Sequence, residues 1–142
     1  MIKIQQMVVS IVGKVLAGTS LTVALQNVLR TDLTLSPQER GAIQDLSYGV
    51  LRFYGQLTGI LALLLKKSLR KKDLNNLLLV SLYQLQYSKS PAYAIVDHAV
   101  STAVTLPGGK GMRGLVNAVL RNFMRQQDTL LEKVAQSDVG RY

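Results

Sequence analysis

Wound as a helix, the stretch carrying Leu77, Leu78, Leu79, Val80, Leu82, Tyr83 and Leu85 is apolar on nearly every side. Such a helix has no face to give to water, so the chain must surround it with other elements and place it at the centre of a bundle. The remaining sequence supplies the surrounding pieces. Apolar residues recur at helical spacing almost throughout, and no stretch of period-two alternation competes with them. The expected fold class is all-α.

A first helix is expected from Ile2 to Ala17, with Ile4, Met7, Val8, Ile11 and Val15 on one face and Gly18 at its end. Ser20 can cap a second, from Leu21 to Arg30, that buries Leu21, Leu25 and Val28. The strongest start signal is Ser36 followed by Pro37 and Glu39, a capping box opening a helix that carries Ile43, Leu46 and Val50. Gly49, Gly55 and Gly59 predict a bend near Phe53 to Gly55 and a further helix through Leu57, Ile60, Leu61 and Leu64. Asp73 is expected to cap the central helix, Ser90-Pro91 to open the next, and Pro107-Gly108-Gly109 to end it. A last long helix is expected from Lys110 to Gln126, continuing to Ala135. With no repeat and no linker between these elements, residues 1–142 read as one domain.

Composition limits what this domain can do. Seventeen Lys and Arg against eight Asp and Glu give a net charge of +9, while 48% of the residues are hydrophobic, so the chain is a folded basic domain rather than a disordered polycation. Cysteine is absent, which removes disulfides, thiolate metal sites and a cysteine nucleophile. Apolar runs such as Ile60 to Leu65 fall well short of the ~18 residues of a membrane span. Gln5, Gln6, Ser10 and Lys14 interrupt the N-terminal stretch where a signal peptide would be continuous. The expectation is a soluble, cytoplasmic protein with no membrane partner, no metal and no cofactor of its own.

The residues that could carry chemistry are cationic. His98 stands alone, and Asp97 beside it points about 100° away on a helix, so the two do not form an acid/base pair. Gly108-Gly109-Lys110-Gly111 lacks the strand and the Lys-Ser/Thr of a phosphate loop and reads as a flexible turn. On the last helix, Lys110, Arg113, Asn117, Arg121 and Arg125 recur at three- and four-residue steps, which predicts one polar stripe opposite Met112, Leu115, Val116, Val119 and Phe123. Four cations without an acid among them repel one another, and a polyanion such as RNA would relieve that. The alternatives are a solvated face, or pairing with Asp45 and Asp97, with Arg121 the first structural candidate. Lys66, Lys67, Arg70, Lys71 and Lys72 form a second cluster, either an RNA contact or a C-terminal cap for the preceding helix dipole. Lys14 and Lys133 are expected off this face. Tyr48, Tyr54, Tyr83, Tyr87 and Tyr93 could stack on bases, but their spacing predicts that a minority are exposed.

Four strings stand in an order and spacing that carry a resemblance: Tyr48-Gly49-Val50-Leu51-Arg52, Leu82-Tyr83-Gln84-Leu85-Gln86-Tyr87, Pro91-Ala92-Tyr93-Ala94-Ile95-Val96-Asp97 and Leu115-Val116-Asn117-Ala118-Val119-Leu120-Arg121. Together they resemble the NusB family. Within it, the chain is most similar to the N-terminal NusB-like domain of the Sun/Fmu/RsmB proteins, bacterial methyltransferases that modify carbon 5 of a cytosine in small-subunit ribosomal RNA. The resemblance implies a compact bundle of about seven helices in two sub-bundles, and RNA binding. It aligns Asn117, Arg121 and Arg52 with the family's own Asn and Arg positions. His98 stands where relatives carry an acid, and the first helix offers only Lys3 and Lys14 where relatives carry arginine.

The strings Gly18-Thr19-Ser20-Leu21 and Phe123-Met124-Arg125-Gln126-Gln127 resemble the methyltransferase branch, and Ser137-Asp138-Val139-Gly140-Arg141-Tyr142 reads as the start of a linker. The expectation is therefore an RNA-binding domain, with ribosomal RNA and a catalytic domain in cis as partners and S-adenosylmethionine as the cofactor of the longer protein. The alternative is a freestanding transcription antitermination factor that binds RNA together with a ribosomal protein. A third possibility is a domain whose cations meet an acidic protein.

Overall fold

The central segment is one of seven helices in the computed structural model, which describes residues 2–140. In chain order they are α1 (Ile2–Leu16), α2 (Leu21–Thr31), α3 (Pro37–Arg52), α4 (Tyr54–Leu64), α5 (Lys72–Tyr87), α6 (Ala92–Ala103) and α7 (Arg113–Gly140). Leu74, Leu77, Leu78, Leu79, Val80 and Leu82 of α5 have no accessible surface. The helix packs against α1, α3, α4, α6 and α7. Helix α1 packs on α2, α3, α5 and α6, and α7 on α4, α5 and α6. The all-α bundle expected from the sequence is what forms.

Local chemistry fixes the helix ends. The Ser36 hydroxyl accepts from the Glu39 N–H at 3.1 Å, and the Ser36 N–H donates to the Glu39 carboxylate at 2.9 Å, completing the box. That donated N–H holds the Glu39 carboxyl below its ordinary value. Ser20 caps α2 by accepting from the Val23 N–H at 3.2 Å. Between α2 and α3, Asp32 pairs with Lys3 at 2.8 Å; the Lys3 and Thr34 hydrogen bonds lower its carboxyl to about 2, and the pair ties the loop to α1.

A polar thread crosses the interior. Gln5 of α1 donates to the Gln84 side chain of α5 at 3.0 Å and accepts from the Thr102 hydroxyl of α6 at 2.7 Å, all three side chains being buried. The Ser81 hydroxyl within α5 turns back onto the Leu77 carbonyl at 2.8 Å.

Six expected boundaries move, the ends of α1 and α2 by one residue each, to Leu16 and Thr31. Helix α5 begins one residue before Asp73, with Lys71 at the cap position; Asp73 lies in the first turn, where its charge still suits the positive end of the helix. Helix α6 stops at Ala103, before Pro107, because the chain turns through residues 104–112. Helix α7 starts at Arg113 rather than Lys110 and breaks at Gln126, where φ is −118° and ψ 18°. Beyond that kink it continues past Ala135 to Gly140, so Ser137–Gly140 is helical rather than linker-like, while Arg141 and Tyr142 lie outside the described residues. No helix among the described residues is long and apolar enough to cross a membrane.

Leu78→Asp tests the central position of α5. It would bury an unpaired carboxylate at a cost of several kcal/mol, comparable with the stability of a whole domain. The expected result is loss of the cooperative thermal transition in circular dichroism; a native-like melt would mean that α5 is not enclosed.

Candidate nucleic-acid interface

The segment 65–71 links α4 to α5, and Leu65 and Leu69 turn inward to pack against the core. Lys66, Lys67, Arg70, Lys71 and Lys72 are all exposed. Helix α4 has already ended at Leu64, so a dipole cap can account for no more than the first two of these cations. Lys71 and Lys72 sit at the opposite kind of terminus, the positive start of α5, where no side chain caps the free backbone N–H groups. Like charge there is unfavourable until an anion arrives, and a helix start flanked by lysines suits phosphate oxygens.

The turn at 104–112 reaches the same place. Gly108, with φ +76°, lies so close under the aliphatic stem of Lys71 that a Cβ at Gly108 would stand 2.4 Å from the Lys71 Cδ. Gly109 is buried against the Ala103 carbonyl, which a Cβ would approach to 1.7 Å, and its N–H and carbonyl bond to Leu106 and Met112. Gly108 and Gly109 are thus tightly packed, unlike the flexible turn expected, while Gly111 has open space around it; Lys110 and Arg113 in and after the turn are exposed. The segments that carry the two basic clusters, forty residues apart in sequence (Arg70 to Lys110), touch where Gly108 meets Lys71.

The expected stripe on α7 is divided by its own geometry. Lys110 precedes the helix, and each four-residue step drifts by about 40°, so Arg125 stands about 120° round from Arg113. Arg113, Asn117 and Arg121 line an open groove of about 740 Å³ against Tyr93, Asp97 and His98 of α6, whereas Arg125 is exposed but outside it. Arg121 Nε donates to the side-chain Oδ1 of Asn117 at 3.0 Å, a local bond consistent with a structural part for Arg121. Asp97 shares the groove without forming an ion pair, and Asp45 lies elsewhere, beside Arg52. Lys3–Asp32 is the only ion pair among the described residues, so none of these cations pairs with an acid among them.

Lys14, expected off the face, lines a second open groove of about 770 Å³ together with Lys72, Asp73, Asn75, Ser68 and Gln6. Gln6 donates to the Thr105 hydroxyl at 2.8 Å and so ties α1 to the same turn. Only the packing of α1 on α5 brings Lys14 here; sequence spacing carries no signal for it. Three of the five tyrosines are exposed, Tyr48, Tyr87 and Tyr93, more than the helical spacing predicted.

The NusB family model matches residues 3–125. Over 130 residues the chain is 38% identical to a ribosomal RNA small subunit methyltransferase B from Serratia proteamaculans, an overlap of 89% of this chain and 29% of that protein. A protein of the same description from Vibrio vulnificus is 37% identical over 127 residues, with 88% and 29% covered. One from Pasteurella multocida is 42% identical over 106 residues, with 73% and 24% covered. The chain spans less than a third of the length of these relatives.

Gly109→Ala tests whether the turn is rigid. The Ala103 carbonyl cannot yield as a side chain would, so the substitution should cost about 1–3 kcal/mol or more, whereas Gly55→Ala, with open space around it, should be neutral or slightly stabilising. Urea unfolding of both variants decides it; equal midpoints would mean that the turn yields freely.

Proposed function

The chain belongs to the NusB family, and from that premise we propose that it is the N-terminal RNA-binding domain of a bacterial small-subunit ribosomal RNA (cytosine-C5) methyltransferase. The observation that supports the reading is the contact of Gly108 with the Lys71 stem, which joins the turn before α7 to the start of α5; on this reading Lys66, Lys67, Arg70, Lys71, Lys72, Lys110 and Arg113 act as one basic surface. Phosphates of an RNA strand bind such a surface through charge-assisted contacts and release of counterions. Lys14 extends it along α1, and Arg113, Asn117 and Arg121 extend it along α7. The names of the similar methyltransferases favour this reading over a freestanding antitermination factor with a ribosomal protein partner.

The domain's part in the reaction is to hold and orient ribosomal RNA for a catalytic domain in cis. Methylation at carbon 5 needs a nucleophile, normally a thiolate, to add to the pyrimidine ring, and this chain has no cysteine. S-adenosylmethionine would supply the methyl group in the longer protein. The residues present do not fit that cofactor, since the described residues hold no strand and hence no glycine-rich strand-to-helix turn.

Two measurements test the proposal. Binding to a small-subunit ribosomal RNA hairpin should weaken with salt at a log–log slope of roughly −3 to −4, as for about four to six phosphates on a single strand. Lys71→Glu with Arg113→Glu should lower affinity at least tenfold and flatten the slope, each lost cation removing a little under one unit. Arg30→Glu with Lys133→Glu, of equal charge change, should do much less; equal losses would reduce the surface to total charge. In a second assay, transfer of labelled methyl from S-adenosylmethionine to ribosomal RNA by the purified chain should not exceed a blank without protein. Transfer above the blank would overturn the assignment of catalysis to another domain.

A further inference from the structure

At the far end of α5 from the basic surface, about 22 Å along the helix axis, the rings of Phe53, Tyr83 and Tyr87 form a cluster. Phe53 and Tyr87 are stacked with centroids 4.7 Å apart and planes 17° from parallel; Tyr83 lies 5.0 Å from Tyr87 and 6.2 Å from Phe53. Gly49 of α3 makes this possible, because a Cβ there would fall 2.1 Å from the Tyr83 Cζ, so the ring can lie flat against the helix backbone. The cluster is not sealed. Tyr87 keeps 44% of its surface and Tyr48 half of its own, and both edge an open groove of about 610 Å³ whose wall includes Asp45 and Arg52. The Arg52 guanidinium lies 5.5 Å from the Phe53 ring centroid and makes no ion pair among the described residues.

Aromatic rings left half in water are normally turned inward unless something flat covers them. Here Tyr87 is already stacked on Phe53 and so can receive a further ring without paying to be ordered, while Tyr48 lines the same groove. The neighbouring cation is placed for a negative charge attached to that ring, and the Asp45 carboxylate can accept hydrogen bonds from the N–H groups at a ring edge. A planar, hydrogen-bonding group joined to an anion describes a nucleotide. We propose that the groove between α3 and the C-terminal end of α5 is a stacking site for one unpaired nucleotide, its base against Tyr48 and Tyr87 and its phosphate on Arg52.

This inference rests on the RNA-binding reading and adds to it a second point of contact, read by stacking rather than by charge. It gives the domain a polarity: phosphates are held at the start of α5 and a splayed base at its end.

The test uses a short oligouridine carrying a single 2-aminopurine, whose fluorescence falls when the base stacks. Saturating wild-type protein should quench it. Tyr48→Ala should weaken binding about five- to a hundredfold, the range seen when a stacked base loses its aromatic partner, and should remove most of the quench at saturation. Tyr48→Phe should keep both. Arg52→Gln should weaken binding and flatten the salt slope by a little under one unit while leaving the quench at saturation. Tyr48 is outside the ring cluster, so its loss does not threaten the fold; Tyr87→Ala is a second probe, with thermal melts as the check. Lys71→Glu with Arg113→Glu should lower affinity but leave the quench at saturation unchanged. If wild type binds the RNA without quenching, or Tyr48→Ala quenches as wild type does, the stacking site is overturned while RNA binding stands, and the groove would then serve a protein contact. If wild type binds no RNA at any salt, both readings fall.

Discussion

The complete enclosure of α5 is the constraint from which the rest of the architecture follows. Six leucine and valine side chains with no accessible surface require cover on every side, and α1, α3, α4, α6 and α7 are the elements that supply it. A helix so enclosed can meet solvent only at its two ends. The cations of Lys66 to Lys72 therefore gather at its start. At its other end Tyr83 and Tyr87 stack with Phe53 and border an open groove. The surfaces with chemical character are thus the two ends of one buried rod.

Burial of this kind is directionless, since leucines would tolerate several rotations and slides of α5 between its neighbours. The thread from Gln5 through Gln84 to Thr102 is not tolerant, because each of these buried groups needs its partner at hydrogen-bond distance. It fixes α1, α5 and α6 in one register. That register also decides where Lys14 and Lys72 fall, on either side of one groove.

Much of this was legible in the residues. Hydrophobic period revealed the helices and the central place of α5, and the Ser36 box and the bend at Phe53 stand where their local chemistry puts them. What escaped depends on tertiary approach. Nothing local says that Gly108 lies beneath Lys71, or that Gly109 faces the Ala103 carbonyl; without those contacts Lys110 reads as the first residue of a helix. Arg125 was grouped with Arg113 because single four-residue steps look collinear, although their drift accumulates. Asp73 resembles a cap, yet the helix starts before it. Tyr48 and Tyr87 sit at core-like spacing, and their exposure arises only because α3 and α5 leave a groove between them.

The kink at Gln126 lets one helix serve two neighbourhoods. Before it, Val116, Leu120 and Phe123 are buried where α7 meets α5 and α6; after it, Leu130 and Val134 turn inward, with Val134 beside Gly59 of α4. The hydrophobic cover of α4 and α5 is therefore assembled from both halves of the chain, and its last pieces are made last. During synthesis from the N-terminus, a nascent chain stopped before Leu130 has α4 and α5 already made but their final cover missing. A chain that ends before Leu130 would therefore leave the face of α4 at Gly59 without the cover that Val134 gives it.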